Sequence, residues 1–186
     1  MSSAVSRRFG IALIIRDSSP AFASLGMTRS RIDLSRNPKS TAPPRIRVRN
    51  LQRKIPLNVA ELQKFATKIL RLCLQVRKVK PTDLDKLRHI FVWLISDRRM
   101  SQLHRQFLGK TGPTDVLTFQ HGEIFISVET AKQHARAFGN SLVRELQLYI
   151  IHGLLHLHGF DDRTEGGARK MNSTQEKILH ACSPKR

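Results

Sequence analysis

The stretch from Ser141 to Gly159 sets the terms for everything else the chain must build. Val143, Leu146, Tyr149, Ile150 and Leu154 recur with helical spacing, Ser141 is a good N-cap, and Gly159 ends the run. A helix this apolar has to be buried by other elements, yet it carries His152, His156 and His158. Buried imidazoles need partners, so these three are hard to accommodate as ordinary core residues. His152 and His156 stand four positions apart, so on a helix they point within about 40° of each other and offer two nitrogens to one cation. His158 lies roughly 200° round from His156 and is expected to face elsewhere.

The pair has the spacing of the zinc helix of metalloproteases, but the position after the first histidine is Gly153, where those enzymes need a glutamate base. A peptidase would therefore lack its catalytic group. A third ligand has to come from beyond the helix. Gly159 allows the chain to reverse through a positive φ, after which Asp161 or Asp162 returns a carboxylate. Three protein ligands leave a fourth position for water, as in catalytic zinc sites.

The rest of the chain supplies elements to bury that helix. Ile46–Asn50 alternates apolar and polar residues like an edge strand. Residues 57–75 place Val59, Leu62, Phe65, Ala66, Ile69, Leu72 and Cys73 on one helical face. His89–Ser96 suits a buried strand, and Asp97 can cap a helix running towards Phe107. After a loop over 109–113, Thr114–Phe119 and Glu123–Ser127 read as a hairpin turning at Gln120–Gly122. Helices over Val128–Phe138 and Thr164–His180 complete the set. The fold class is α+β, a small mixed sheet of about four strands packed with helices.

At 186 residues there is room for one domain and a tail. Lys and Arg number 33 against 14 Asp and Glu, a net charge of +19, far more than solubility requires. Residues 1–56 hold +10 of it, so the remaining +9 makes residues 57–186 basic in their own right. Such a field favours a phosphate backbone, whose counterions are released on binding, over a small-molecule substrate. Residues 1–44 are rich in Ser and Arg, with four prolines and no sustained period, and are expected to form a basic disordered extension. An RNA-binding arm, a targeting segment and a stretch translated from a misplaced start all fit that composition. Cys73 and Cys182 are too few for a disulfide framework, and no segment has the length of a membrane span, so a cytoplasmic protein with no membrane partner is expected.

Three segments carry a resemblance: His152-Gly153-Leu154-Leu155-His156-Leu157-His158-Gly159-Phe160-Asp161-Asp162, Pro113-Thr114-Asp115-Val116-Leu117-Thr118-Phe119, and Gly122-Glu123-Ile124-Phe125-Ile126. In order and spacing they are similar to the HGxLHLxGYDH, PTDVLSF and GDI segments of the YbeY family of rRNA maturation factors, single-strand-specific zinc endoribonucleases. The likeness covers roughly residues 46–182 and implies that 45–186 is a YbeY-like endoribonuclease domain with the metal helix at its centre. It further implies one Zn²⁺ held by three residues of the signature, with rRNA and the ribosomal small subunit as partners. The roles implied are 3′-end maturation of small-subunit rRNA and ribosome quality control.

On that alignment the third ligand falls on Asp162, where the family has a histidine. A carboxylate ligates zinc at similar distances, but its charge makes bound water less acidic, and oxygen ligation makes Mn²⁺ or Mg²⁺ more tolerable. Phe160 takes the place of the signature tyrosine, and the family's arginine falls on Leu108, leaving Arg105 or Lys110 as nearby cations for RNA. Thr114 and Asp115 are candidates for orienting a ligand or touching RNA, or for a strand-end hydrogen bond alone. Glu145, two turns before His152, reads either as a partner of that histidine or as a solvated charge. His104 and His121 read as surface residues. The changes at Leu108 and Asp162 also support a second reading, an rRNA-binding assembly factor whose metal is structural and whose nuclease activity is weak or absent.

Overall fold

The computed structural model describes residues 14–15, 43–78 and 80–182. In chain order the elements are β1 (Ile14–Ile15), β2 (Arg45–Asn50), α1 (Val59–Gln75), α2 (Asp83–Lys86), β3 (His89–Ile95), α3 (Asp97–Leu108), β4 (Val116–Phe119), β5 (Glu123–Ser127), α4 (Val128–Ala137), α5 (Leu142–Leu157) and α6 (Glu165–Cys182). The strands form one sheet in the order β1-β4-β5-β3-β2. The β4–β5 hairpin is antiparallel and the other three pairings are parallel, so the sheet is mixed.

Side-chain alternation along the strands divides the core in two. Ile46, Val48, Ile90, Val92, Leu94, Val116, Ile124 and Ile126 face the helical layer of α1, α4, α5 and α6. Phe91, Trp93, Ile95, Leu117, Phe119 and Phe125 face the other way and pack with Met100 and Leu103 of α3. Within the helical layer, 12 of the 16 residues of α5 are buried, and it packs against α1, α4, α6, β4 and β5, which is why its sequence is apolar on nearly every side. It is the central helix that the sequence led us to expect.

Two departures stand out. Five strands are described rather than about four, because Ile14–Ile15 pairs in parallel with Thr118–Phe119 and buries Ile15 in the second core cluster. Residues 1–44 are therefore not structureless throughout; the rest of that segment, except 43–44, lies outside the described residues. The strand expected over Thr114–Phe119 begins at Val116, since Asp115 is taken up in hydrogen bonds at its entrance.

Gly153 decides how closely α5 can approach the sheet. A Cβ there would lie 2.8 Å from Ile124 Cγ2, so only glycine lets the helix sit against β5 at this height. A glutamate base of the metalloprotease kind would have to displace the buried Ile124 side chain or the helix itself.

Candidate metal centre

The C-terminal end of α5 delivers two of the site residues and the turn that follows delivers the third. Gly159 adopts φ +89°. Its N–H bonds to the carbonyl of His156, and that of Phe160 bonds to the carbonyl of Leu155, the paired bonds of a Schellman motif. That turn swings the Phe160 carbonyl back towards the helix, where it accepts a hydrogen bond from His156 Nδ1 at 3.1 Å. The Gln175 side-chain oxygen, from α6, accepts from His152 Nδ1 at 2.7 Å. With a proton fixed on each Nδ1, both rings turn their Nε2 lone pairs inward. These nitrogens are 3.0 Å apart, with the rings at 90°. Two lone pairs facing each other at that distance repel until a cation lies against both.

Asp162 closes the set. Its Oδ2 is 3.6 Å from His152 Nε2 and its Oδ1 is 3.8 Å from His156 Nε2. One ligand atom from each of His152, His156 and Asp162 falls within 4.8 Å of the others. All three side chains are at least nine-tenths buried, and Asp162 Oδ1 has no hydrogen-bond partner. Two neutral imidazoles and one carboxylate suit a divalent cation, with nitrogen donors that favour zinc and an oxygen donor that also admits manganese or magnesium.

The structure also decides between the two aspartates. Arg163 grips Asp161, with Nε 2.8 Å from Oδ2 and 3.0 Å from Oδ1, and this pairing holds the Asp161 carboxyl down at about 2. Asp161 is thus committed to Arg163, and only Asp162 faces the imidazoles. His158 faces away as expected: its Nε2 lies 3.0 Å from the Val76 carbonyl, tying the end of α1 to the end of α5.

Other expectations change. Glu145 is fully buried, not solvated, and accepts a hydrogen bond from Asn140 at 2.8 Å; the residue that orients His152 is Gln175. Asp115 is 2% exposed, and its Oδ1 accepts the Val116 N–H at 2.8 Å and the Thr114 hydroxyl at 3.1 Å. Asp115 therefore serves the strand entrance from a buried position, while Thr114 beside it stays half-exposed; burial raises the Asp115 pKa. Arg105 and Lys110 are exposed at and just past the end of α3, and neither forms an ion pair or hydrogen bond with the cluster. Leu108 is half-buried against the second core. His104 hydrogen-bonds the Gly112 carbonyl and His121 pairs with Glu123, both away from the cluster.

Gln175 escaped the sequence reading, although one signal was there. On α6 it shares the buried face of Met171, Ile178 and Leu179, and an amide at a core position needs a polar partner.

Burial pushes the His152 pKa down to about 3, with the adjacent His156 adding to the effect and Gln175 opposing it. His156 is also lowered by burial, against the pull of Asp162, and Asp162 is raised by burial. In the metal-free protein, unfolding lets both imidazoles take up protons below the ordinary histidine value, about 6.5. The folded state resists that protonation at both rings, so stability is complete above that value and falls as pH drops. Asp162, protonated more readily when folded, offsets part of the loss at the acid end. Thermal melts of chelated protein should show Tm declining steadily from about pH 7 to about pH 4. A flat Tm over that range would contradict the assignment.

The fold and the buried two-histidine, one-carboxylate cluster together define a small α+β protein whose central helix carries a cluster able to hold a metal ion. The family model for Endoribonuclease YbeY matches residues 47–183, and the chain belongs to that family. It is 33% identical over 132 residues to the Endoribonuclease YbeY of Petrotoga mobilis, covering 67% of this chain and 91% of that protein. To that of Bacillus pumilus it is 34% identical over 110 residues, covering 48% and 69% respectively. The solution structure of TM1509 from Thermotoga maritima superposes with a TM-score of 0.53 at 28% identity, covering 73% of this chain and 87% of that one. No helix among the described residues is long and apolar enough to cross a membrane.

Proposed function

We propose that this protein is a zinc-dependent endoribonuclease that cuts single-stranded rRNA in the cytoplasm. On this reading it works in 3′-end maturation of small-subunit rRNA and in ribosome quality control, with rRNA and the small subunit as partners. The observation that carries the proposal is the convergence of His152, His156 and Asp162 beside a basic cleft. That cleft, of about 700 Å³, runs along the 158–164 turn and is lined by Arg77, Lys78, Lys80 and Lys170 against two carboxylates, Asp83 and the Arg163-paired Asp161. Lys170 Nζ lies 5.4 Å from the centre of the Phe160 ring, so a cation and an aromatic face stand together. Basic side chains beside a ring suit a single strand, whose phosphates they neutralise while an unpaired base stacks.

His152, His156 and Asp162 would hold the ion, and Gln175 and the Phe160 carbonyl keep the two rings in the ligating tautomer. When bound, a divalent ion supplies Lewis acidity towards the phosphodiester and an activated water. Arg77, Lys80 and Lys170 draw the backbone into the cleft and offset the negative charge that grows on phosphate during cleavage.

Leu108 favours a second reading. It packs against the core where the family places an arginine, so that cation is missing, as it would be in an assembly factor with a structural metal. Incubating a single-stranded 3′ fragment of small-subunit rRNA separates the two. Cleavage should stop on chelation, return with added Zn²⁺, and spare a duplex of the same sequence. Cutting that survives metal removal refutes the hydrolytic mechanism. Tight binding without cutting in Zn²⁺, Mn²⁺ or Mg²⁺ would establish the assembly factor instead.

A further inference from the structure

We infer that the free edge of β2, together with α1, forms a second anchoring groove for single-stranded RNA, separate from the metal centre. The identity of the polyanion rests on the endoribonuclease reading; the groove itself rests on different residues. Along β2, Ile46 and Val48 are buried against the helical layer while Arg45, Arg47 and Arg49 alternate with them and stay exposed. Successive arginines in such a series are about 6.6 Å apart, a spacing suited to the repeat of an extended phosphate backbone. A groove of about 650 Å³ runs beside them, with Arg71 of α1 on its other wall and Leu70 and Leu74 giving apolar floor. None of the residues lining it is acidic, and none of its four arginines forms a salt bridge among the described residues.

The backbone says what the groove is not for. A free strand edge ordinarily invites another strand. Here Gln63 has already taken the outward groups: its Oε1 accepts the Val48 N–H at 2.8 Å and its Nε2 donates to the Ile46 carbonyl at 2.9 Å. A peptide adding to β2 would find these positions occupied, whereas a phosphate backbone needs only the guanidinium groups. The groove also leads towards the basic cleft along the 158–164 turn. Gln63, Thr67, Arg71 and Leu74 line the groove, and Arg77, just beyond the helix end, lines the cleft, a run of roughly 20 Å along α1.

The test is the salt dependence of single-stranded RNA binding, read by fluorescence anisotropy on full-length, zinc-loaded protein. Changing Arg45, Arg47, Arg49 and Arg71 together to alanine should make the slope of log K against log salt shallower by about 2 to 3, since each engaged phosphate contributes about 0.7 for a single strand. Changing Lys132, Arg136, Arg169 and Lys177 to alanine removes the same charge elsewhere and should move the slope by less than half as much. R47E, a single exposed change, should weaken binding at least threefold with unaltered melting and zinc titration. An unchanged slope in the groove variant, or an equal change in the control, overturns the proposal. So does a groove variant whose loss appears on anionic phospholipid vesicles and not on RNA. Because the readout is binding, it stands apart from whether the metal centre cuts.

Discussion

Asp162→Ala is expected to cost the site its metal while leaving the metal-free fold at least as stable as the parent. The two effects have opposite signs for one physical reason. The Asp162 carboxylate is a buried anion whose Oδ1 has no hydrogen-bond partner, an arrangement that is unfavourable until a cation neutralises it. Removing it relieves that cost in the metal-free protein and deprives the ion of the one anionic donor that the cluster offers among the described residues. Changing a residue that merely orients a ligand typically costs about 10–100-fold in metal affinity. Gln175→Leu should fall in that range, and Asp162→Ala beyond about 100-fold. Zinc titration by calorimetry, with melts recorded with and without metal, measures both quantities; the stabilisation on adding zinc should shrink with the affinity. Parent-like zinc affinity in Asp162→Ala would remove Asp162 from the ligand set.

The second large effect concerns two neighbouring glycines that should respond in opposite directions. In the first turn of α6, a Cβ on Gly166 meets nothing within 4 Å, whereas one on Gly167 would lie 2.1 Å from the Asp161 backbone oxygen. Gly166→Ala gains helix propensity and should stabilise by about 0.5–1 kcal/mol. Gly167→Ala gains the same propensity but must push away the main chain just before Asp162. Overpacking of this kind costs about 1–3 kcal/mol. At roughly 2–4 °C per kcal/mol in a chain of this size, Tm should drop by several degrees. Because the displaced segment carries the third ligand, zinc affinity should fall too, although no ligand has been changed. Melting and zinc titration of both variants decide the matter, and matching shifts would mean that the tight approach at Gly167 does not govern the site.

These predictions tie the chemistry to the fold. The Schellman turn at Gly159, the grip of Arg163 on Asp161 and the tight start of α6 act in sequence along one short segment. Each limits where the Asp162 carboxylate can lie.

Much of this was legible in the amino-acid order, because it depends on local periodicity. Four-residue spacing puts His152 and His156 side by side on any helix, and a glycine after an apolar helical run predicts the reversal found at Gly159. Strand alternation likewise marked β2, and a dense apolar run marked β3, before any partner was known. What the order of residues left open were choices made by contacts distant in sequence or by competition within a turn. Asp161 and Asp162 are chemically equivalent until Arg163 claims one of them. Gln175 meets His152 across 23 positions, and Glu145 is buried because α5 is surrounded, neither of which a helical repeat contains. Ile14–Ile15 becomes a strand because β4 presents a free edge to it, a fact about the sheet and not about two isoleucines. Local patterns thus set the elements and aimed the imidazoles, competition within the 159–163 turn selected the carboxylate and the His156 tautomer, and packing between distant segments fixed the His152 tautomer and the edges.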